Sequence, residues 1–207
     1  MARSVDVVLV ATDTQAVAET VSAFGGTAVM TRDDHLTGTD RLAEVAAALD
    51  TEIIVNVQGD EPLILPEQID AAVHTVLDRP GEVMGTLRRA IRDAADITNP
   101  AVVKVVVDAH GYALYFSRAP IPFIRPGADR PTLWKHLGLY AYRRDFLLTI
   151  ARLPAMPLER AESLEQLRVL EHGFRIHTVE TTADTIGVDT PEDLDRVRRL
   201  VEAATHA

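Results

Sequence analysis

Two rhythms of apolar and polar positions alternate along the first eighty residues. Val5-Asp6-Val7-Val8-Leu9-Val10, Thr27 to Met30 and residues 52–57 are short, mostly apolar runs, the pattern of strands covered on both faces. Helical spacing fills the gaps. Thr12-Asp13-Thr14 offers N-cap residues for a helix through Phe24 that ends at Gly25-Gly26. Leu42, Val45, Ala46 and Leu49 line one face of a helix over Asp40 to Leu49, and Pro66 opens another through Leu77. Strand–helix alternation predicts a mainly parallel sheet flanked by helices.

The rhythm changes after Gly81. Val83 to Leu87 and Val102 to Val107 read as strands, and Asp108-Ala109-His110-Gly111 as a turn before a return strand, Tyr112 to Phe116. The proline-studded stretch from Pro120 to Pro131 reads as a loop suited to a lid or a subunit contact. Leu137 to Tyr142 predicts a strand, Arg143 to Leu153 and Leu158 to His172 helices, and Phe174 to Val179 a late strand. Thr190-Pro191-Glu192-Asp193 starts a final helix, threonine at N-cap and proline at N1. No linker divides the chain, so residues 1–207 are expected to form one α/β domain.

Composition narrows the function classes. The formal net charge of −10 opposes non-specific nucleic-acid binding, although a bound metal can reverse the local sign for a nucleotide substrate. The absence of cysteine excludes disulfides, thiolate metal sites and thiol nucleophiles, and fits a reducing cytoplasm. No apolar stretch approaches a bilayer span, and Met1-Ala2-Arg3-Ser4 lacks a signal-peptide pattern, so a cytoplasmic protein without membrane contact is expected.

The candidate chemistry starts at Val55-Asn56-Val57-Gln58-Gly59-Asp60-Glu61-Pro62. In open α/β sheets, ligands sit beyond the carboxyl ends of the strands. A carboxylate there, beside a glycine that lets the backbone approach, suits Mg²⁺ bridging to nucleotide phosphates; the plainer reading is a polar strand-end turn. Ile186-Gly187-Val188-Asp189 sets a second carboxylate before the last helix, where it reads equally as a cap. Asp60 and Asp189 could share one Mg²⁺ if the fold brings them together. Phosphate-loop, Gly-x-Gly-x-x-Gly, Gly-x-Ser-x-Gly and His-Glu-x-x-His motifs are absent.

A series of blocks in order along nearly the whole chain carries a resemblance. They are Thr31-Arg32-Asp33-Asp34-His35 with Gly38-Thr39-Asp40-Arg41-Leu42-Ala43-Glu44, Val55 to Pro62, and Asn99-Pro100 with Val103-Lys104-Val105-Val106. Ala113 to Pro122, His136-Leu137-Gly138 with Tyr140 and Tyr142-Arg143, Leu164-Glu165-Gln166-Leu167-Arg168 and Gly187 to Leu194 complete it. The chain resembles the 3-deoxy-manno-octulosonate (Kdo) cytidylyltransferases, or CMP-Kdo synthetases. The resemblance implies a Rossmann-like nucleotide-diphospho-sugar transferase fold with a mixed, mostly parallel sheet and a β-rich middle region for sugar binding and dimerisation. It implies a reaction in which the anomeric 2-hydroxyl of Kdo attacks the α-phosphate of CTP, giving CMP-Kdo for lipopolysaccharide or capsule precursors and releasing diphosphate. Asp60 and Asp189 would hold Mg²⁺, and Gln58 and Arg41 would contact the nucleotide; a helix-surface arginine paired with Glu44 is the plainer reading of Arg41. Arg118 would pair with the sugar carboxylate. His136 and Tyr140, on one side of a strand, would line the sugar pocket, and Glu165 and Gln166 would bond its hydroxyls. Lys104 is either a phosphate or sugar contact or a solvated strand lysine.

One departure stands out. The family's opening strand, its arginine- and lysine-rich phosphate loop and its first helix have no counterpart here. A sheet without that strand is expected to leave unpaired edges, and a site without that loop to show little cytidylyl transfer. The rival readings are a CMP-sialate synthetase or another sugar nucleotidyltransferase, and a non-catalytic remnant that binds a nucleotide, a sugar or a partner. His-Leu-Gly and Leu-Glu-Gln-Leu-Arg point away from the sialate enzyme. The resemblance also implies a homodimer formed through the middle region.

Overall fold

A computed structural model describes residues 2–188 and 190–205. In chain order the elements are β1 (Leu9–Thr12), α1 (Gln15–Ala23), β2 (Thr27–Met30), α2 (Gly38–Ala47), β3 (Ile53–Val57), α3 (Pro66–Leu77), β4 (Met84–Ala90) and α4 (Ala94–Thr98). There follow β5 (Lys104–Val107), β6 (Ala113–Ser117), β7 (Trp134–Arg143), α5 (Arg144–Ile150), α6 (Pro157–Glu162), α7 (Gln166–Glu171), β8 (His177–Glu180) and α8 (Pro191–Thr205).

Strand β7 is the spine of a six-stranded sheet. One of its edges carries β4, antiparallel, from Met84 opposite Tyr142 to Ala90 opposite Trp134. Its other edge is shared by β3, opposite residues 139–143, and β5, opposite residues 134–135. β8 adds parallel to β4, and β6 antiparallel to β5. Thus β3, β4, β5 and β8 point one way, and β6 and β7 the other. The expected mixed sheet with mostly co-directional strands is present. Its hydrogen-bonded neighbours are nevertheless mainly antiparallel, because β7 inserts between co-directional strands. β1 and β2 form a separate parallel pair, and among the described residues β1 bonds only to β2 and β3 only to β7.

Strand alternation on β7 builds the two cores. Leu137, Leu139 and Ala141 face Ala72 and Val76 of α3. Tyr140 and Tyr142 join the larger core formed with Ala43 and Ala46 of α2, Phe146, Leu147 and Ile150 of α5, and Leu167 and Val169 of α7. A fully buried Leu or Phe side chain contributes about 1.5–3 kcal/mol here. Helix α3 lies so close to β4 that a Cβ on Gly85 would fall 1.5 Å from Thr75 Oγ1, so any side chain there forces the layers apart.

Three local expectations are revised. The first strand starts at Leu9 rather than Val5, because pairing begins at Leu9 opposite Thr27. Val7 and Val8 stay 68% exposed, while the N–H groups of Arg3 and Ser4 donate to Asp70 on α3. The helix expected over Leu158 to His172 is broken at Ser163, which adopts a left-handed conformation with φ of 52°. Lys104, read as a ligand contact or a solvated lysine, is fully buried.

Candidate active site

A cleft of about 760 Å³ opens at the carboxyl end of β3 and runs along the aromatic face of β7. Gln58, Asp60, Arg118, His136, Tyr140, Glu165 and Gln166 all line it. The fold therefore gathers seven of the nine residues singled out from the sequence.

The β3 end is a tight turn in which the Glu61 N–H donates to Gln58 O at 3.1 Å. It leaves the Asp60 side chain exposed at the cleft. The Asp60 carbonyl accepts the N–H of Val188 at 2.8 Å, which ties the turn to the chain ahead of α8. Asp189 lies outside the described residues, but Gly187 and Thr190, on either side of it, line the same cleft. Thr190 caps α8 reciprocally: its hydroxyl oxygen accepts the Asp193 N–H, and the Asp193 carboxylate accepts the Thr190 N–H at 3.0 Å.

Glu61, not singled out from the sequence, is also in the cleft wall. Burial raises its pKa, and its Oε2 has no hydrogen-bond partner among the described residues. Lys135 is a second addition. Its ammonium pairs with Asp184 at 2.6 Å and lies 3.7 Å from Asp96. Its place next to His136 in the sequence was a usable signal, although strand alternation points neighbouring side chains to opposite faces. A long side chain at the start of β7 reaches the cleft regardless.

The aromatic face is built ring against ring. The Thr86 hydroxyl has one proton and donates it to Leu139 O at 2.7 Å, so we assign the 2.9 Å contact to His136 as Nε2–H donating to Thr86. Tyr140 lies against the imidazole, ring centroids 5.3 Å apart, and Phe116 meets its edge at 5.0 Å. Burial holds the His136 pKa down at about 3, against an ordinary 6.5, and raises those of Tyr140 and Tyr142. The imidazole is therefore neutral at physiological pH. Between about pH 6.5 and pH 3 the unfolded chain binds a proton at His136 that the folded chain refuses, so stability falls as the pH is lowered through that window. Urea unfolding at pH 7.5 and 5.0 is expected to show a loss that shrinks by about 2 kcal/mol in His136→Gln. An equal loss in both proteins refutes this origin.

Arg118 is held from three sides. Its N–H donates to Glu162 Oε2 at 2.9 Å, its Nε to Glu162 O at 2.9 Å and its Nη1 to Pro100 O at 3.0 Å. Nη2 makes no hydrogen bond among the described residues and is available to an anion. The break at Ser163 turns Glu165 and Gln166 into the start of α7, and both reach the cleft. Glu165 already has partners: its carboxylate accepts the N–H groups of Gly38 at 3.3 Å and Thr39 at 3.1 Å, and the Thr39 hydroxyl. It thus caps α2, whose amino-terminal dipole favours a carboxylate.

Arg41 stands apart from this cleft. Its guanidinium donates to Thr31 Oγ1 at 2.6 Å and Asp13 Oδ2 at 2.5 Å, bridging α2 to the ends of β1 and β2. Glu44, its suggested partner, pairs instead with His35 and Arg32.

Among the described residues no three acidic or histidine side chains form a metal cage, and no helix is long and apolar enough to cross a membrane. Mg²⁺ needs no such cage. It is commonly held by one or two carboxylates, with phosphates and water completing its shell, and an exposed carboxylate at a strand end fits that demand.

Comparison with known proteins identifies the family and the fold. A family model described as cytidylyltransferase matches residues 1–177. The 3-deoxy-manno-octulosonate cytidylyltransferase of Solibacter usitatus is 56% identical over 196 residues, covering 95% of this chain and 78% of that protein. The enzyme of the same name from Geobacter sulfurreducens is 54% identical over 206 residues, covering 95% and 82%. The solved structure of a CMP:2-keto-3-deoxy-manno-octonic acid synthetase complexed with CTP superposes with a TM-score of 0.92 at 46% identity, over 98% of this chain and 83% of that one. An inositol-1-phosphate CTP transferase from T. maritima, at 14% identity and a TM-score of 0.61, shares the fold over 95% of this chain and 75% of its own. The chain belongs to the 3-deoxy-manno-octulosonate cytidylyltransferase family of cytidylyltransferases.

Proposed function

We propose that the protein transfers CMP from CTP to Kdo, with release of diphosphate, to supply an activated sugar for lipopolysaccharide. The observation that carries the reading is the one cleft lined together by a strand-end carboxylate, Asp60, an anion-ready arginine, Arg118, and the aromatic face of His136 and Tyr140. Relatives that are 54–56% identical bear the name of this activity, which favours Kdo over sialate.

In this reading the sugar's anomeric hydroxyl oxygen bonds to the α-phosphorus while the bond to the β-phosphate's bridging oxygen breaks. The hydroxyl proton goes to solvent and diphosphate carries off the bonding electrons. Gln58 and Asp60 meet the nucleotide at the end of β3. Arg118 orients the sugar carboxylate through its free Nη2, and neutral His136, with Tyr140, supplies a water-poor wall. Asp60 and Asp189 would hold Mg²⁺, which neutralises phosphoryl charge and lowers the pKa of the attacking hydroxyl. Gln166 bonds sugar hydroxyls, as does Glu165 wherever it can exchange an α2 contact for one. Arg41 would reach the nucleotide only on leaving Asp13 and Thr31.

The enzyme is read as cytoplasmic and as a homodimer. Leu114, 62% exposed, and Phe123, 84% exposed, support a contact through the middle region. Incubation of the protein at high concentration with CTP, Mg²⁺ and Kdo, followed by phosphorus NMR, is expected to show slow formation of a CMP phosphodiester and diphosphate, in keeping with the little transfer expected from the sequence, and no product from N-acetylneuraminate. Transfer to N-acetylneuraminate alone, or no transfer to either, overturns the reading.

A further inference from the structure

The sequence contains two lysines, Lys104 and Lys135, among 21 basic residues. Lys104, at the start of β5, is 0% exposed. No carboxylate lies within salt-bridge distance of it among the described residues. Its ammonium instead donates three hydrogen bonds, all to main-chain carbonyls: Asn99 O at 2.9 Å, Val102 O at 2.6 Å and Arg118 O at 2.5 Å. Three donors meet three acceptors, so the group is satisfied, but it brings a full charge into the interior for that purpose.

What those carbonyls belong to gives the lysine its meaning. Asn99 and Val102 bound a short loop that lines the cleft, and Arg118 follows the neighbouring strand β6, whose Ser117 pairs with Lys104. Pro100, inside the same loop, is the acceptor for Arg118 Nη1 at 3.0 Å. Lys104 therefore holds Arg118 twice: directly through its carbonyl, and indirectly by fixing the loop that anchors its guanidinium. Lys104 itself does not line the cleft. We propose that Lys104 is a positioning residue, which sets the Arg118 guanidinium in the orientation that receives the carboxylate of the sugar substrate. This rests on the reading of Arg118 as the carboxylate contact.

The test separates the two claims. Lys104→Met keeps the length and removes the donors. It is expected to raise the Kdo dissociation constant about tenfold or more, and to change that for CTP by less than about twofold. In protein labelled with ¹⁵N-arginine, hydrogen exchange at Arg118 Nε–H should accelerate. That at Arg168 Nε–H, bound to Glu159, should stay slow and report an intact fold. A folded Lys104→Met that keeps both Arg118 protection and Kdo affinity overturns the proposal.

Arg118→Ala is the control for the underlying reading. If it leaves Kdo binding unchanged, Arg118 is not the carboxylate contact and the proposal falls with that reading. If it weakens binding while Lys104→Met does not, only the positioning role falls. Lys104→Gln, which retains one donor group, should give an intermediate effect and serves where the methionine variant does not fold. In the unaltered protein, reductive methylation should modify Lys135 and spare Lys104. Ready methylation of Lys104 in folded protein overturns the proposal without any variant.

Discussion

Asp60→Asn is expected to slow CMP-Kdo formation by about a thousandfold while leaving the melting temperature within about 1 °C of the parent. The substitution preserves shape, and the side chain is exposed, so little packing is at stake. The main-chain bond from Val188 to Asp60 O remains available. What disappears is the negative charge at the β3 terminus, which holds a magnesium ion far more strongly than a neutral amide oxygen can. Rates measured across a Mg²⁺ titration should rise with the ion in the parent and scarcely respond in the variant. A variant with near-parental rates at low Mg²⁺ removes Asp60 from the metal site.

The largest expected loss of stability comes from a different pair. Glu159 on α6 and Arg168 on α7 are 6% and 5% exposed. They make three hydrogen bonds, from Nε to both carboxylate oxygens at 3.1 and 2.9 Å and from Nη2 to Oε1 at 2.6 Å. Hydrogen bonding to Glu159 raises the Arg168 pKa, so the guanidinium stays charged. Replacing Glu159 by Gln leaves that charge opposite a neutral amide, with Asp40, 3.8 Å from Nη1, as a more distant carboxylate that makes no hydrogen bond to it. Urea unfolding should show a loss of about 3–5 kcal/mol. The double variant Glu159→Leu, Arg168→Met, in which neither charge remains, should recover much of it. A single variant as stable as the parent sinks the argument. The pair also sets the geometry of the cleft, because it clamps the two short helices on either side of Ser163, from which Glu165 and Gln166 project.

Local signals made much of this legible. Residues 27–30 and 66–77 were delimited from the sequence as they occur, the second because Pro66 marks a helix start unambiguously. Asp60 was legible from its strand end, and alternation put His136 and Tyr140 on one strand face, but the roles of these two and of Gln58 were legible only through the family resemblance. The rest depended on partners far away in sequence. Val7 and Val8 look like strand interior, yet pairing with β2 excludes them. Ser163 adopts a glycine-like conformation that nothing in Glu162-Ser163-Leu164 announces. The five-residue α4 is too short to generate a periodic signal. Lys104 looks like any strand lysine until the loop before it and the segment after β6 close three carbonyls around its ammonium. Glu165 was legible as a functional candidate, but its partners on α2 lie 126 and 127 positions away.

The separation of the β1–β2 pair from the six-stranded sheet bears on how the molecule breathes. Among the described residues no main-chain hydrogen bond joins the two sheets, so the small one can detach as a unit without breaking a ladder. Side chains alone fasten it to the body, and the Arg41 guanidinium, gripping Asp13 and Thr31 together, is one of the rivets. A ligand that draws Arg41 inward would loosen that outer flap as it tightens the centre, trading order at the periphery for order in the cleft.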